Sequence, residues 1–171
     1  MRSRSRRARS IRLVFATAAA LLIAGCASMP ASLKAYGLNK TLDLSVVARH
    51  PTAYVGRLVR WGGIIIAARN LAHETRFQIL AYPLDHIGHP ESNGTPLGRF
   101  LAETPGYLET MIYRHGRAVT VVGRVQGVVH GKIGAASYTY PEIAVRRIYL
   151  WPRQRRAQPQ LGVGIGIGIG G

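Results

Sequence analysis

Between about Thr41 and Pro152, apolar side chains recur at every second position in short runs broken by glycine. Val59, Trp61 and Ile65 alternate with Arg60 and Gly62. Phe77, Ile79 and Ala81 alternate with Arg76 and Gln78. Val119, Val121 and Val125 alternate with Thr120, Arg124 and Gln126, and Ile143 to Leu150 is β-branched and leads to Trp151. In a strand, successive side chains point to opposite faces, so this period is that of half-buried strands. No long run has helical periodicity. Asp43 is placed to cap a short helix over Leu44 to His50 that Pro51 ends. Gly98 to Ala102 and Tyr107 to Tyr113 each have room for a helical turn. Gly62-Gly63 suggests a bulge or bend, and His130-Gly131-Lys132 a hairpin connection. The expected fold is mainly β: a small antiparallel OB-like β-barrel or curled sheet with one or two short helices. A domain of that length buries roughly 65% of its unfolded surface, enough for one core.

The N-terminus sets where such a domain resides. Arg2, Arg4, Arg6, Arg7, Arg9 and Arg12 precede an apolar stretch from Leu13 to Ile23, followed by Ala24, Gly25 and Cys26. This is the order of an export signal, and Arg6-Arg7 belongs to its basic segment. The apolar stretch is too short for a membrane span, which needs about 20 residues. Cys26 is the only cysteine, so no disulfide forms within the chain. Leu22-Ile23-Ala24-Gly25-Cys26 resembles the lipobox of bacterial lipoprotein precursors. The resemblance implies cleavage between Gly25 and Cys26, alkylation of the thiol by diacylglycerol, and fatty acyl chains of the palmitate kind. Aspartate directly after the cysteine marks inner-membrane retention in such proteins. Here Ala27 and Ser28 follow, implying delivery to the outer membrane with the domain facing the periplasm.

The expected organisation is therefore a signal peptide over 1–25, an acylated Cys26 with a flexible tether over 26–40, a barrel over 41–152, and a tail over 153–171. The tether reading rests on Pro30, Ser32 and Gly37 and on the lack of sustained periodicity. The tail begins with Arg153, Arg155 and Arg156 and ends in a glycine-isoleucine repeat that is costly to order. The chain carries a formal charge of +16, and removing the leader leaves about +10. That charge favours anionic partners such as lipid headgroups or lipopolysaccharide phosphates.

The domain itself resembles the Slp family of outer-membrane lipoproteins. The resemblance is carried by Tyr54-Val55-Gly56-Arg57 and Val59-Arg60-Trp61-Gly62-Gly63-Ile64, then Thr75 with Phe77-Gln78-Ile79-Leu80 and Tyr82-Pro83-Leu84-Asp85. Gly98-Arg99-Phe100-Leu101, Gly106-Tyr107-Leu108, Gly116-Arg117, Val119-Thr120-Val121-Val122-Gly123, Lys132-Ile133-Gly134, Tyr138-Thr139-Tyr140-Pro141 and Tyr149-Leu150-Trp151 follow in order. Gln78 stands where a glutamate is usual, Ala135-Ala136 where an acidic residue is common, and Glu109-Thr110 in place of Asp-Pro. The resemblance implies a starvation- or stationary-phase-associated envelope lipoprotein with no enzymatic activity and no cofactor.

A direct search for chemistry agrees with that expectation. His86 and His89 beside Asp85 are separated by Ile87-Gly88 in a proline-flanked loop. Zinc needs three or four ligands at about 2.0–2.3 Å, so no metal site is expected. No Gly-x-Ser-x-Gly elbow surrounds a serine. Glycoside cleavage needs two acids about 5–10 Å apart, and no spacing among the glutamates singles out such a pair. Basic residues interleaved with aromatics would suit single-stranded nucleic acid, but export removes that partner and none is expected. The residues singled out for ligand binding are Asp85 and Arg99, in loop-flanking motifs, with the aromatics Trp61 and Tyr138. The expected partners are outer-membrane lipids through acylated Cys26, with lipopolysaccharide or another envelope protein as further candidates. Two roles stand: an envelope-associated lipoprotein without catalysis, or a binding module using its barrel face.

Overall fold

The computed structural model describes residues 28–39 and 42–153. The signal peptide, Cys26 and the tail beyond Arg153 lie outside these residues. Five strands close into a barrel in the order β1-β2-β3-β5-β4. They are β1 (Leu58–Asn70), β2 (Glu74–Tyr82), β3 (Gly98–Pro105), β4 (Ala118–Ile133) and β5 (Ala136–Leu150). All neighbours are antiparallel except β3 and β5, which run parallel. This is the OB-like barrel expected.

The alternating positions supply the interior. Val59, Ile65, Phe77, Ile79, Phe100, Ala102, Val119, Val121 and Ile143 are fully buried. Trp61 meets Phe100 edge-to-face at 5.5 Å. Two short helices precede the barrel: α1 (Leu44–Arg49) and α2 (Pro51–Tyr54). Leu44 and Val47 of α1 join the barrel core. Pro51 closes α1 as expected but also opens α2, because a proline at the first helical position has no N–H to lose. Asp43 occupies the N-cap without a side-chain capping bond. Its backbone oxygen accepts from Val46 and Val47 instead.

Three local expectations are corrected. Gly98 to Ala102 is strand rather than a helical turn, because Phe100 and Ala102, two apart, must both face the core. The hairpin connection lies beyond His130-Gly131-Lys132: β4 runs on to Ile133, which pairs with Ala136. Gly134, with φ +61°, starts the two-residue turn, as a type II′ hairpin requires. Gly62-Gly63 lies in unbroken pairing, and the bulge falls between Ile65 and Ala67. The segment Tyr107 to Tyr113 does contain one turn, in which Ile112 and Tyr113 donate to the Glu109 carbonyl. That turn lays Tyr113 over Phe77 at 5.6 Å.

The largest departure concerns the expected tether. Residues 28–39 cross the outside of the barrel as a strap. Leu33, in a 3₁₀ turn over Ala31–Leu33, is fully buried with Val122 and Trp151, and Met29, Ala35 and Leu38 pack beside it. Arg60 donates to the Leu33 carbonyl, Arg147 to the Lys34 carbonyl, and Asn39 N–H to the Leu58 carbonyl. The strap lacked a periodic pattern because a single buried leucine holds it. Leu33→Ala is expected to cost about 2–4 kcal/mol. Hydrogen exchange should show the Asn39 amide losing protection before the barrel amides do.

Candidate functional site

The hairpin that joins β4 to β5 extends past the barrel and curls over the outer face of β2 and β3. Tyr138 and Tyr140, two apart on β5, share one face and meet at 4.6 Å. The Tyr138 hydroxyl accepts the Arg99 N–H at 2.7 Å. The Tyr140 hydroxyl accepts from Gln78 at 3.2 Å and donates to the Lys132 carbonyl at 3.1 Å. These bonds tie the hairpin to both strands beneath it.

Between hairpin and barrel lies a groove of about 330 Å³. Ala67, Gln78 and Leu101 line it together with Arg69, Lys132 and Tyr140. In OB-like barrels the face of the second and third strands, flanked by these hairpins, is the usual place for ligands. Its mixed lining, with Leu71, Leu101 and Val129 beside Arg69, Arg76 and Lys132, suits an amphipathic, negatively charged group.

An ionic network adjoins the groove. Arg76 bridges to Glu103, its Nε at 2.6 Å, and also approaches Glu74 at 3.7 Å and Glu142 at 4.0 Å. The parallel pairing of β3 with β5 brings Glu103 and Glu142 together, a juxtaposition that no sequence spacing reveals. Burial pushes the Glu142 carboxyl above the ordinary 4.5, helped by the charge and hydrogen bond of Glu103 and opposed by Arg76. A carboxyl raised in the folded state destabilises that state above its folded pKa. The cost disappears as pH falls through that value toward the unfolded one. Glu142→Gln is therefore expected to raise Tm by about 2–4 °C at neutral pH. The difference from the parent should vanish as the pH approaches 4.5.

The four residues singled out from sequence fall into two places. Tyr138 and Arg99 meet, but through the backbone N–H of Arg99 rather than its guanidinium. Trp61 and Asp85 line a second cleft, of about 200 Å³, together with Asp43, Arg60 and Tyr82. Trp61 donates its indole N–H to the Leu42 carbonyl at 3.0 Å and is nearly buried. Asp85 accepts from the backbone N–H groups of Ile87 and His89 at 3.0 and 2.8 Å, so it shapes its own loop. Both polar groups thus have intramolecular work. Sequence reasoning missed Arg69 and Lys132 as groove residues, since they lie far apart in the chain. Among the described residues no three histidine, cysteine or acidic side chains cluster as a metal site.

Comparison with known proteins follows the same lines. The model of the "Outer membrane lipoprotein Slp family" matches residues 23–164. The uncharacterized lipoprotein YeaY of Escherichia coli (strain K12) is 34% identical over 141 residues, 82% of this chain and 72% of that one. The outer membrane protein Slp of the same organism is 35% identical over 133 residues, 76% of this chain and 69% of that one. Among solved structures, a small single-stranded DNA-binding protein from Streptomyces coelicolor is similar in shape. Its TM-score is 0.37 at 20% identity, covering 56% of this chain and 94% of that one.

Proposed function

The chain belongs to the outer membrane lipoprotein Slp family, and from that premise we propose that it is held in the outer membrane by acyl chains on Cys26 and serves the envelope without catalysis. The observation that supports the anchor most directly is where the family match begins. It starts at Ile23, inside Leu22-Ile23-Ala24-Gly25-Cys26, so the family match takes in the junction together with the barrel. The signal peptide is cleaved after Gly25, and the domain faces the periplasm. Its role is structural and tied to stress or starvation. Intact-mass analysis of the chain purified from outer membranes tests this. The expected species begins at Cys26 and carries diacylglyceryl and a further acyl group. An unmodified Cys26, or a chain still bearing Arg2 to Gly25, would refute the anchor.

A second reading is favoured by the groove between the β4–β5 hairpin and the β2–β3 face. There the barrel binds an anionic envelope ligand, such as lipopolysaccharide, or a protein partner. Lys132→Glu should then weaken saturable lipopolysaccharide binding by the detergent-solubilised chain at least tenfold. Equal binding by both chains would leave the groove without that role.

A further inference from the structure

A second surface sets exposed apolar side chains beside basic ones. The turn at Glu109 to Tyr113 directs Tyr113 inward onto Phe77 and leaves its neighbours in solvent: Met111 is 74% exposed and Ile112 51%. Beside this apolar tip runs a groove of about 390 Å³ lined by Arg114, His115, Arg117 and Arg153, and no acidic residue lines it. Glu91 adjoins the lining Ser92 in sequence without itself lining the groove, and Glu109 accepts from the Met111 N–H within its own turn. No acidic residue follows it until Glu142.

The groove shares Trp151 with the cluster against which the described strap packs. One guanidinium, that of Arg117, donates to the Ile112 carbonyl at 3.2 Å and to the Trp151 carbonyl at 3.0 Å. Trp151 packs in the apolar cluster that Met29 borders. Only Ala27 separates Cys26 from the described strap at Ser28. Three Cα steps of 3.8 Å allow Cys26 no more than about 11 Å from Met29. An anchor at Cys26 would keep the lipid surface close to Met29 and to the cluster that Trp151 shares with the strap.

We infer that Met111 and Ile112 enter the interface of the leaflet holding the anchor, while Arg114, Arg117 and Arg153 engage anionic phospholipid headgroups. This rests on the Cys26 anchor and adds an orientation: the barrel lies against the membrane on this side. Acyl chains supply attachment, and the cationic groove with its apolar tip supplies the second signal that fixes the pose. Arg155 and Arg156 continue the basic run in the sequence.

The test uses the acylated full chain reconstituted into vesicles rich in phosphatidylglycerol, with phosphatidylcholine vesicles as reference. Ile112→Cys and, at the hairpin tip, Ala135→Cys are each coupled to an environment-sensitive dye. Circular dichroism confirms that both fold. The expected result is a blue-shifted dye at 112, quenched by lipid-borne quenchers several-fold more than the dye at 135. Arg114→Glu with Arg153→Glu should abolish the preference for phosphatidylglycerol, and each lost cation should weaken the contact about five-fold. An aqueous dye at 112, or equal quenching at 112 and 135, overturns the inference. Dye uptake by the unsubstituted chain would reveal a free Cys26 and overturn the anchor itself, and the orientation with it. A dye at 112 shielded from water but unreached by lipid quenchers would indicate contact with a second copy of this chain and equally overturn it.

Discussion

Gly63→Ala is expected to lower the stability of the barrel by at least about 3 kcal/mol, an effect at or beyond the usual range for overpacking. A Cβ on Gly63 would lie 1.9 Å from the Leu80 carbonyl oxygen and 2.7 Å from its carbon. Both are backbone atoms of β2, held by pairing of Gly63 with Ala81 and Ile64 with Leu80. No rotamer change relieves that contact, so β1 and β2 must separate there. Alanine restricts the unfolded chain more than glycine, which offsets only about 0.4–1 kcal/mol. For a domain of this size the loss corresponds to a Tm lower by about 12 °C or more. Gly94→Ala is the control. Its Cβ would meet the Glu91 carbonyl at an ordinary 3.4 Å, and stability should change by less than about 0.5 kcal/mol. Thermal melts of the two variants check both statements. Equal midpoints would mean that the strands can part at Gly63 without cost.

Cys26→Ser is expected to remove the chain from the outer membrane almost completely. Each buried methylene contributes about 0.8 kcal/mol of membrane affinity, and a single myristoyl chain alone binds only marginally. On the proposed anchor, several chains on one residue would make release negligible, and none would remain without the thiol. The proposed surface around Met111 and Arg114 orients the barrel but is too small to retain it. The uncut precursor should stay with its leader at the inner membrane. Sucrose-gradient fractionation should show at least a tenfold fall in the outer-membrane share. A serine variant found undiminished in outer membranes would mean that another part of the chain holds it there.

The elements that were legible in the sequence are those made by neighbours in the chain. Phe77, Ile79 and Ala81 announce β2 because every second side chain must face the core, and Leu44 to Arg49 forms its helix where Asp43 and Pro51 bracket it. The Gly98 segment was misread because Gly98 and Arg99 carry no alternation until Phe100 and Ala102 are paired with β2. The strap was misread for the opposite reason: one leucine, Leu33, cannot make a pattern, yet it is fully buried. Asp85 and Trp61 were singled out for ligand binding, but their polar atoms are taken up by Ile87, His89 and Leu42.

By itself the sequence determined the strand content and the barrel class, since period-two burial is a local property. Only the tertiary structure decided what shares a surface. Barrel closure and the parallel pairing of β3 with β5 set Glu103 beside Glu142, place Arg69 and Lys132 across one groove, and hold Ile112 and Trp151 on the guanidinium of Arg117. Those neighbours are distant along the chain, and the strand register that unites them depends on the whole barrel closing at once.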